Sequence, residues 1–297
     1  MKKYILVTGG VGFVGSNLIN YLLKKTKNNI LSIDNYSTGN KKNEIINKRI
    51  KYFKGHTKNI DKILKGYETK IVVAFHFGEF ARIHQSFDNL KECLESNLYG
   101  SSKVFSFCLK NNIKIIYSAT SASLGNKGND QNLSPYAFTK SKNIKLLINL
   151  NKWFGLKYEA IYFYNVYGPK HIGVGHMATV IGIFEDCFLK NKPLTVVKPG
   201  NQSRKFTHIL DTVKGCYYVW KKNLNRHYSI SNNQSFTILQ IAKMFRKKII
   251  YLPERKGERY KSTQTSKIGY IKIYPIVCKI KIKEYIDEFI KKNTKSI

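Results

Sequence analysis

Long apolar runs and paired cysteines are missing from this 297-residue sequence. No run approaches the roughly 18–20 apolar residues that cross a bilayer. The N-terminus passes from Met1-Lys-Lys straight into Tyr-Ile-Leu-Val-Thr-Gly-Gly, where a signal peptide would need a longer apolar core and a cleavage site. The five cysteines are scattered, without a Cys-x-x-Cys pair, which argues against a disulfide framework and a zinc site. We therefore expect a cytoplasmic protein with no membrane segment, no metal and reduced thiols.

Acidic residues and arginine are also scarce. Asp and Glu number 18 against 52 Lys and Arg, for a formal net charge of +34. A nucleic-acid-binding protein usually concentrates its basic residues in a patch and uses arginine for bidentate contacts. Here only seven basic residues are arginine, and the lysines are spread along the chain among Asn and Ile, which also have A/T-rich codons. The charge indicates compositional bias, attraction of anionic substrates and at most non-specific binding to nucleic acid.

The hydrophobic pattern of the first half predicts alternating strands and helices. Short β-branched runs, most of them apolar throughout, are separated by longer amphipathic stretches. This alternation is typical of crossover units in a parallel sheet that is covered on both faces. The predicted strands are Tyr4–Val7, Ile30–Ile33, Lys51–Phe53, Ile71–Phe75, Ile113–Tyr117 and Glu159–Phe163, and the predicted helices are Ser16–Lys25, Cys93–Asn111 and Pro135–Phe154.

The sequence changes character after Asn165, with more loop-forming residues, a helix predicted near Thr237–Arg246 and a lysine-rich end. We predict an α/β fold, a Rossmann-type doubly wound parallel sheet with a smaller C-terminal substrate-binding lobe. The larger domain is predicted to cover residues 1–167, with return segments near 205–232. Residues 168–297 are predicted to form mainly the smaller lobe.

A glycine-rich turn follows the first predicted strand. Gly10-Val-Gly12-Phe13-Val14-Gly15 matches the dinucleotide fingerprint G-x-G-x-x-G, with the required strand before it and helix after it. The glycines allow a tight turn and a close approach of the backbone to a pyrophosphate, which the helix N-terminus then faces. Asp34 lies 19 residues after Gly15, the spacing of a carboxylate that binds the adenosine ribose and repels a 2′-phosphate. Residues 1–167 are therefore predicted to form an NAD-binding domain, with NAD favoured over NADP.

Tyr136 and Lys140 lie one helical turn apart in the predicted helix Pro135–Phe154. A free tyrosine has a pKa of about 10, which is too high for a base at neutral pH. A neighbouring ammonium group and the positive charge of oxidised NAD favour the phenolate. A Tyr-x-x-x-Lys motif is common by chance in a chain with 20 tyrosines. Together with the glycine turn it predicts a redox enzyme with a tyrosine base, in which Lys140 also holds the nicotinamide ribose.

These motifs resemble the extended short-chain dehydrogenase/reductase family, which contains nucleotide-sugar epimerases and dehydratases. Thr8-Gly-Gly-x-Gly-x-x-Gly15 and Tyr136-x-x-x-Lys140 carry the resemblance. Members similar to UDP-glucose 4-epimerase resemble the chain most. Further matches are Asp34-Asn-Tyr-Ser-Thr-Gly39, Phe75-His-Phe-Gly78, Asn97-x-x-Gly100, Tyr162-Phe-Tyr-Asn-Val-Tyr-Gly-Pro169 and Arg204-Lys-Phe-Thr-His208.

The resemblance implies a site for a nucleotide diphosphate sugar beside the cofactor. Thr120 would supply the hydroxyl group that orients the substrate oxygen. Members of the family commonly pair through the two helices that flank the active site, so a homodimer is expected. The further residues implied are Gly9, Asn35 and Asn97 at the cofactor, and Glu79, Arg82, Asn165, Arg204 and Arg255 at the substrate.

The loop after the fifth predicted strand distinguishes two reactions of the family. In its 4,6-dehydratases the loop reads Thr-Asp-Glu, and the carboxyl groups protonate the leaving hydroxyl and remove the C5 proton. Here it reads Ser118-Ala-Thr-Ser-Ala-Ser-Leu-Gly125, without a side chain that acts as an acid or base near neutral pH. This favours an NAD-dependent nucleotide-sugar epimerase that oxidises C4 and reduces it again. The alternatives are a 4,6-dehydratase with atypical acid/base residues, Glu79 among them, and a non-catalytic NAD- or nucleic-acid-binding protein.

Three departures from the family pattern affect the expected ligands. Gly55-His-Thr57 lacks the Asp that holds the adenine in many relatives. Lys205 and Leu210 stand where acidic residues are usual in the arginine motif. Only 16 positions lead from Thr120 to Tyr136, which predicts a reshaped sugar pocket. The sequence therefore leaves the sugar and the nucleotide open.

Overall fold

The computed structural model describes residues 2–124, 130–254 and 265–294. Six parallel strands of its first half lie side by side in the order third, second, first, fourth, fifth, sixth. This order is that of a doubly wound Rossmann sheet, so the predicted fold class is confirmed. The strands are β1 (Tyr4–Thr8), β2 (Asn29–Asp34), β3 (Ile50–Lys54), β4 (Ile71–His76), β5 (Lys114–Thr120) and β6 (Tyr158–Phe163).

Helices connect these strands across both faces of the sheet. The helix predicted at Cys93–Asn111 consists of two α-helices joined by a π-helical turn at Glu95–Gly100. The helix predicted at Pro135–Phe154 has those bounds, because Ser134 caps its start and Gly155, with φ of 72°, ends it. The helices are α1 (Phe13–Lys25), α2 (Ile60–Ile63), α3 (Gln85–Asp88), α4 (Leu90–Leu94), α5 (Ser101–Lys110) and α6 (Pro135–Phe154).

Alternate residues of the central strands pack into two separate cores. Leu6 of β1 faces the layer that contains α5 and α6, where Phe105 and Leu147 are buried. Ile5 of the same strand faces the opposite layer, where Leu18 of α1 is buried. Because both faces are covered, the strands are apolar on both sides, as their sequences predicted.

The C-terminal half adds strands to the main sheet and builds a third core. Three of its strands extend the sheet beyond β6. One of them lies within the predicted return segment 205–232, and the others lie beyond it. The elements are β7 (Val166–Tyr167), α7 (Val180–Leu189), β8 (Leu194–Val197), β9 (Ser203–Lys205), β10 (Thr207–His208), α8 (Ile209–Lys222), β11 (His227–Ser231), β12 (Ser235–Thr237), α9 (Ile238–Met244), β13 (Ile249–Leu252), β14 (Lys267–Ile268), β15 (Ile271–Val277) and α10 (Ile282–Thr294).

Beyond β6 the sheet continues in the order β11, β15, β14, with only the β14–β15 pair antiparallel. The third core joins α7, α9 and α10 through buried residues such as Phe184, Ile241 and Ile286. The division at residue 167 stays a prediction. In the ranges that the structure describes, no helix is both long enough and apolar enough to span a membrane.

The sheet order places a cleft at the carboxyl end of β1. β1 pairs with β2 on one side and with β4 on the other, so the connections leave it in opposite directions. Ligands of open α/β sheets bind at such a switch point. A cavity of about 510 Å³ lies there, lined by residues that follow β1, β2, β4 and β5 and by residues of the C-terminal half.

Candidate active site

Close backbone contacts fix the glycine turn after β1. Gly9 has a φ of +71°, and a Cβ atom at this position would lie 2.9 Å from the backbone of Phe77 and Gly78. A Cβ atom on Gly15 would lie 2.1 Å from the carbonyl oxygen of Gly9. Neither position admits a larger residue without a shift of the backbone. At Gly12, which lines the cleft, the nearest atom to such a Cβ is the Gly9 oxygen at 3.2 Å.

The N-terminus of α1 and the end of β2 form a cradle for an anionic, ribose-bearing ligand. Gly12 caps α1 without a side-chain hydrogen bond, and the first turn holds no acidic residue. Its backbone N–H groups and the helix dipole therefore favour an anion. Asp34 Oδ2 accepts a hydrogen bond from Val11 N (3.0 Å), and its Oδ1 accepts one from Tyr36 N (2.8 Å). Burial raises the pKa of Asp34, and these N–H groups oppose the rise. The cradle fits a dinucleotide with its pyrophosphate at α1 and a ribose at Asp34.

The first turns of α6 present Tyr136 and Lys140 to the cleft. Ser134 Oγ accepts a hydrogen bond from Ala137 N (3.1 Å), which fixes the start of the helix. Tyr136 is half-buried, and its backbone N–H donates to Ser86 Oγ (3.2 Å), which ties the helix to the segment after β4. Both Tyr136 and Lys140 line the cavity, so the predicted base and its neighbouring lysine share the cleft with the glycine turn.

Lys140 forms a buried ion pair with Glu79. The side chains are 4% and 1% exposed, and Lys140 Nζ donates to Glu79 Oε2. Lys140 Nζ also donates to the backbone oxygen of Ser118 at 2.6 Å and lies 4.9 Å from the centre of the Tyr117 ring. These contacts hold the ammonium group at the carboxyl end of β5.

Thr120 ends β5 and lines the cleft. Its Oγ1 accepts a hydrogen bond from Ala122 N (3.2 Å) and so caps the short turn that follows the strand. Within the described ranges no protein acceptor is found for the hydroxyl hydrogen, which is therefore available to a substrate oxygen. Ser121 and Ala122 follow in the buried turn, and neither carries an ionisable side chain.

Arg82 joins the segment after β4 to the C-terminal half. Its Nε and Nη2 atoms both donate to the backbone oxygen of Met177, at 2.9 and 2.6 Å. Gln85 makes a parallel contact, because its Nε2 donates to the backbone oxygen of His176. Burial lowers the pKa of Arg82, while Tyr136 raises it. Arg82 thus bridges the two halves of the chain beside the predicted base.

Most of the predicted site residues lie around one cleft. Gly10 does not line it, and a Cβ atom at this position would lie 2.0 Å from Ser32 Oγ. Asn97 is fully buried and bonds to Phe80 and Thr139 instead. Arg255 lies outside the described residues. The predicted residues that line the cleft are Gly9, Gly12, Phe13, Val14, Gly15, Asp34, Asn35, Glu79, Arg82, Thr120, Tyr136, Lys140, Asn165 and Arg204.

The polar residues around Glu79 were not predicted from the sequence. Ser101, Tyr117 and Asn143 all donate hydrogen bonds to this carboxylate. Asn143 alone carried a local signal, because it follows Lys140 by three positions and lies on the same face of α6. Ser101 and Tyr117 reach Glu79 only through the order of the strands, which no local pattern encodes.

Comparison with known proteins gives the same family as the motifs. The profile of the NAD dependent epimerase/dehydratase family matches residues 5–231 of the chain. A putative UDP-glucose 4-epimerase of Methanocaldococcus jannaschii is 29% identical over 274 residues, which cover 86% of this chain and 88% of that protein. An uncharacterized UDP-glucose epimerase of Bacillus subtilis is 30% identical over 237 residues, covering 73% of this chain and 72% of that protein.

A solved structure is similar over the whole chain. The UDP-N-acetylglucosamine 4-epimerase of Methanobrevibacter ruminantium, in complex with UDP-N-acetylmuramic acid, superposes with a TM-score of 0.84 at 26% identity. The match covers 100% of this chain and 100% of that structure.

Proposed function

This chain belongs to the NAD-dependent epimerase/dehydratase family, and from that premise we propose that it is an enzyme that epimerises a nucleotide-sugar at C4. The observation that supports the proposal is one cleft holding a dinucleotide cradle, Tyr136, Lys140 and the Thr120 hydroxyl. The sugar would be oxidised to a 4-keto form and then reduced from its other face.

The cofactor of the proposed reaction is NAD. The residues that would hold it are the backbone of Gly9, Gly12 and Gly15, with Phe13 and Val14 at the start of α1 and Asp34 and Asn35 at the end of β2. When bound, NAD supplies an acceptor of hydride and, once reduced, a donor. Asp34 would accept hydrogen bonds from the adenosine ribose, and its charge would disfavour a 2′-phosphate.

Proton transfer is assigned to Tyr136. The phenolate would take the proton from the C4 hydroxyl as that carbon loses hydride, and would return it when the carbonyl is reduced. Thr120 would hold the C4 oxygen through its uncommitted hydroxyl hydrogen. Lys140, one helical turn further along α6, would stand beside the phenolate. The proton and the hydride both return to the sugar, so the reaction has no net redox change.

Substrate binding is assigned to residues on both sides of the cleft. Asn165 and Arg204 approach it from the C-terminal half, and Arg82 approaches it from the segment after β4. A nucleotide diphosphate sugar carries two phosphate charges that such cationic and amide groups bind well. Arg255, which lies outside the described residues, completes the proposed set, with residues 168–297 serving mainly as the substrate-binding lobe. Glu79, which the resemblance also placed at the substrate, is buried and paired with Lys140.

We also propose that the protein forms a homodimer. Leu94 and Tyr99, on the segment from α4 to α5, and Phe138 on α6 are 37%, 52% and 37% exposed. These three exposed apolar side chains lie on elements that pack against each other. Exposed apolar groups can mark an interface, and most oligomers of soluble proteins are symmetric dimers.

The 4,6-dehydratase alternative requires an acid and a base besides Tyr136. Ser121 and Ala122 supply neither, and Glu79, the candidate substitute, is buried and paired with Lys140. These observations favour epimerisation over loss of water.

One assay tests the proposal. The protein is incubated with a panel of UDP- and GDP-sugars, and each product is analysed by mass spectrometry and by separation of epimers. A new epimer of unchanged mass supports the proposal, whereas a product lighter by one water supports the dehydratase. Tyr136→Phe should lower the turnover by about 10²-fold or more. Tyr218→Phe, which alters a half-exposed tyrosine of α8, is the control and should leave turnover unchanged. Full turnover in Tyr136→Phe would refute the assignment of the base.

A further inference from the structure

A buried carboxylate lies behind the proposed base. Glu79 Oε2 accepts a hydrogen bond from Lys140 Nζ. Its Oε1 accepts three more, from Ser101 Oγ (2.8 Å), Tyr117 OH (3.0 Å) and Asn143 Nδ2 (2.9 Å). A buried carboxylate with this many donors is held in one orientation. Glu79 therefore holds Lys140, which stands one helical turn from Tyr136 on α6.

The hydrogen bonds that lead to Glu79 all have one direction. Two backbone N–H groups donate to Thr8 Oγ1, at 3.1 and 2.9 Å, so the Thr8 hydroxyl donates to His76 Nδ1 (2.7 Å). A neutral imidazole has one donor and one acceptor, and His76 Nε2 therefore donates to Ser101 Oγ (2.9 Å). The Ser101 hydroxyl then donates to Glu79. The chain begins at β1, beside the glycine turn, and ends at the carboxylate that holds Lys140.

The hydrogen bonds of Lys140 Nζ within the described residues go to Glu79 and Ser118. An ammonium group has three donors, and Lys140 Nζ contacts Glu79 Oε2, the Ser118 oxygen at 2.6 Å and Ser118 Oγ at 3.4 Å. Its influence on Tyr136 is therefore carried by charge. Because Glu79 supplies the opposite charge at hydrogen-bond distance, the two residues together present little net charge to Tyr136.

We propose that Glu79 is a positioning residue that fixes Lys140 and cancels its charge, so that the Glu79–Lys140 pair sets the pH at which Tyr136 ionises. The inference rests on the proposed function only in taking Tyr136 as the proton acceptor. It does not depend on which sugar binds.

Other titratable groups near the pair keep one protonation state around neutral pH. Burial lowers the pKa of His76 to about 4 and raises that of Cys93 to about 11. Burial also raises the pKa of Tyr117 well above 10. Arg82, which faces Tyr136, is a permanent cation. A change in the Tyr136 signal near neutral pH would therefore not come from the ionisation of these neighbours.

Four versions of the NAD-loaded protein test the inference. They are the native protein, Glu79→Gln, Lys140→Gln and the double variant that carries both changes. Each is labelled with ¹³C at the tyrosine ring, and its NMR spectrum is followed against pH without substrate. The Tyr136 signal is the one that is lost in Tyr136→Phe.

The two single variants are expected to shift the Tyr136 midpoint in opposite directions. Glu79→Gln leaves one uncompensated positive charge and should lower the midpoint of Tyr136 by on the order of one pH unit, the usual effect of a neighbouring charge. Lys140→Gln leaves one negative charge and should raise it. The double variant is neutral, like the native pair, and should titrate close to the native protein. It also keeps the test valid if a single variant fails to fold, because replacing both partners avoids a buried unpaired charge.

A second buried pair in the same chain supplies the matched control. Lys114 and Glu159 lie 2.7 Å apart, with side chains 9% and 0% exposed, at the opposite end of β5 and β6 from the cleft. Glu159→Gln should destabilise the fold and leave the Tyr136 midpoint unchanged. If Glu79→Gln also leaves the midpoint unchanged, or raises it, Glu79 is only structural and the proposal is overturned. Epimerase turnover in Tyr136→Phe would instead refute the proposed function while the midpoints stand.

Discussion

Asn97 and Phe80 exchange two hydrogen bonds between a side chain and a backbone. Phe80 N donates to Asn97 Oδ1 (2.7 Å), and Asn97 Nδ2 donates to the Phe80 oxygen (3.1 Å). The amide of Asn97 thus replaces a strand partner for the segment that follows β4. This segment carries Glu79 and Arg82 into the cleft, so Asn97 fixes cleft residues without lining the cleft.

Replacing Asn97 by alanine should destabilise the fold and the site together. The change leaves the Phe80 N–H and C=O groups buried without partners, which costs about 1–3 kcal/mol for each group. We expect the free energy of unfolding in urea to fall by roughly 2–4 kcal/mol, with reduced turnover. Asn111→Ala is the control, because among the described residues Asn111 Nδ2 donates only to the Phe107 oxygen, at a half-buried position. Equal losses in the two variants would contradict the special role of Asn97.

The stability of the protein should depend on two buried histidines at mildly acidic pH. Burial lowers the pKa values of His76 and His227 from 6.5 to about 4. Between these values the unfolded chain binds protons that the folded chain does not. The stabilisation is therefore complete above pH 6.5 and is lost as the pH falls toward 4. Each histidine should contribute about 3 kcal/mol to this loss, since one pKa unit corresponds to about 1.36 kcal/mol.

His227→Gln isolates one of these contributions. His227 contacts Tyr158 OH (2.8 Å) and Tyr162 OH (3.1 Å) on β6, away from the cleft, and glutamine does not titrate. Urea unfolding at pH 7 and pH 4.5 should show a smaller loss of stability in the variant than in the native protein. The carboxyl groups titrate in both proteins and cancel in the difference. Identical losses would show that His227 does not resist protonation in the folded state.

Features that are determined by nearby residues could be predicted from the sequence. The bounds of α6 were predictable because Ser134-Pro135 starts a helix and Gly155 ends one. The Asp34 carboxylate was predictable from its spacing to the glycine turn. The π-helical turn at Glu95–Gly100 was not predictable, because no local pattern distinguishes it from the α-helices on either side. The partners of Glu79 were not predictable either, since they come from β5, α5 and α6.

Arg82→Met should weaken substrate binding more than it slows the reaction. The change removes both hydrogen bonds to the Met177 oxygen and the cation that lines the cleft. We expect KM for the nucleotide-sugar to rise about tenfold, with kcat within about threefold of the native value. Arg49→Met is a matched control, because Arg49 also donates to two backbone oxygens, those of Thr26 and Leu23, at the other end of α1. A KM that changes as little in Arg82→Met as in Arg49→Met would remove Arg82 from the substrate site.

Catalysis should depend on the Thr120 hydroxyl group more than on the short turn that follows Thr120. Thr120→Ala removes both the donor for the substrate oxygen and the acceptor of the Ala122 N–H, and should lower kcat/KM by about 10²-fold. Thr120→Ser restores both groups and should recover most of that loss. Ser123→Ala disturbs the same turn, because Ser123 Oγ donates to the Thr120 oxygen (2.8 Å), but it leaves the Thr120 hydroxyl in place. Steady-state kinetics on the three variants should therefore rank Ser123→Ala and Thr120→Ser near the native protein and Thr120→Ala far below. A loss in Ser123→Ala as large as that in Thr120→Ala would show that the turn, and not the hydroxyl, supports the reaction.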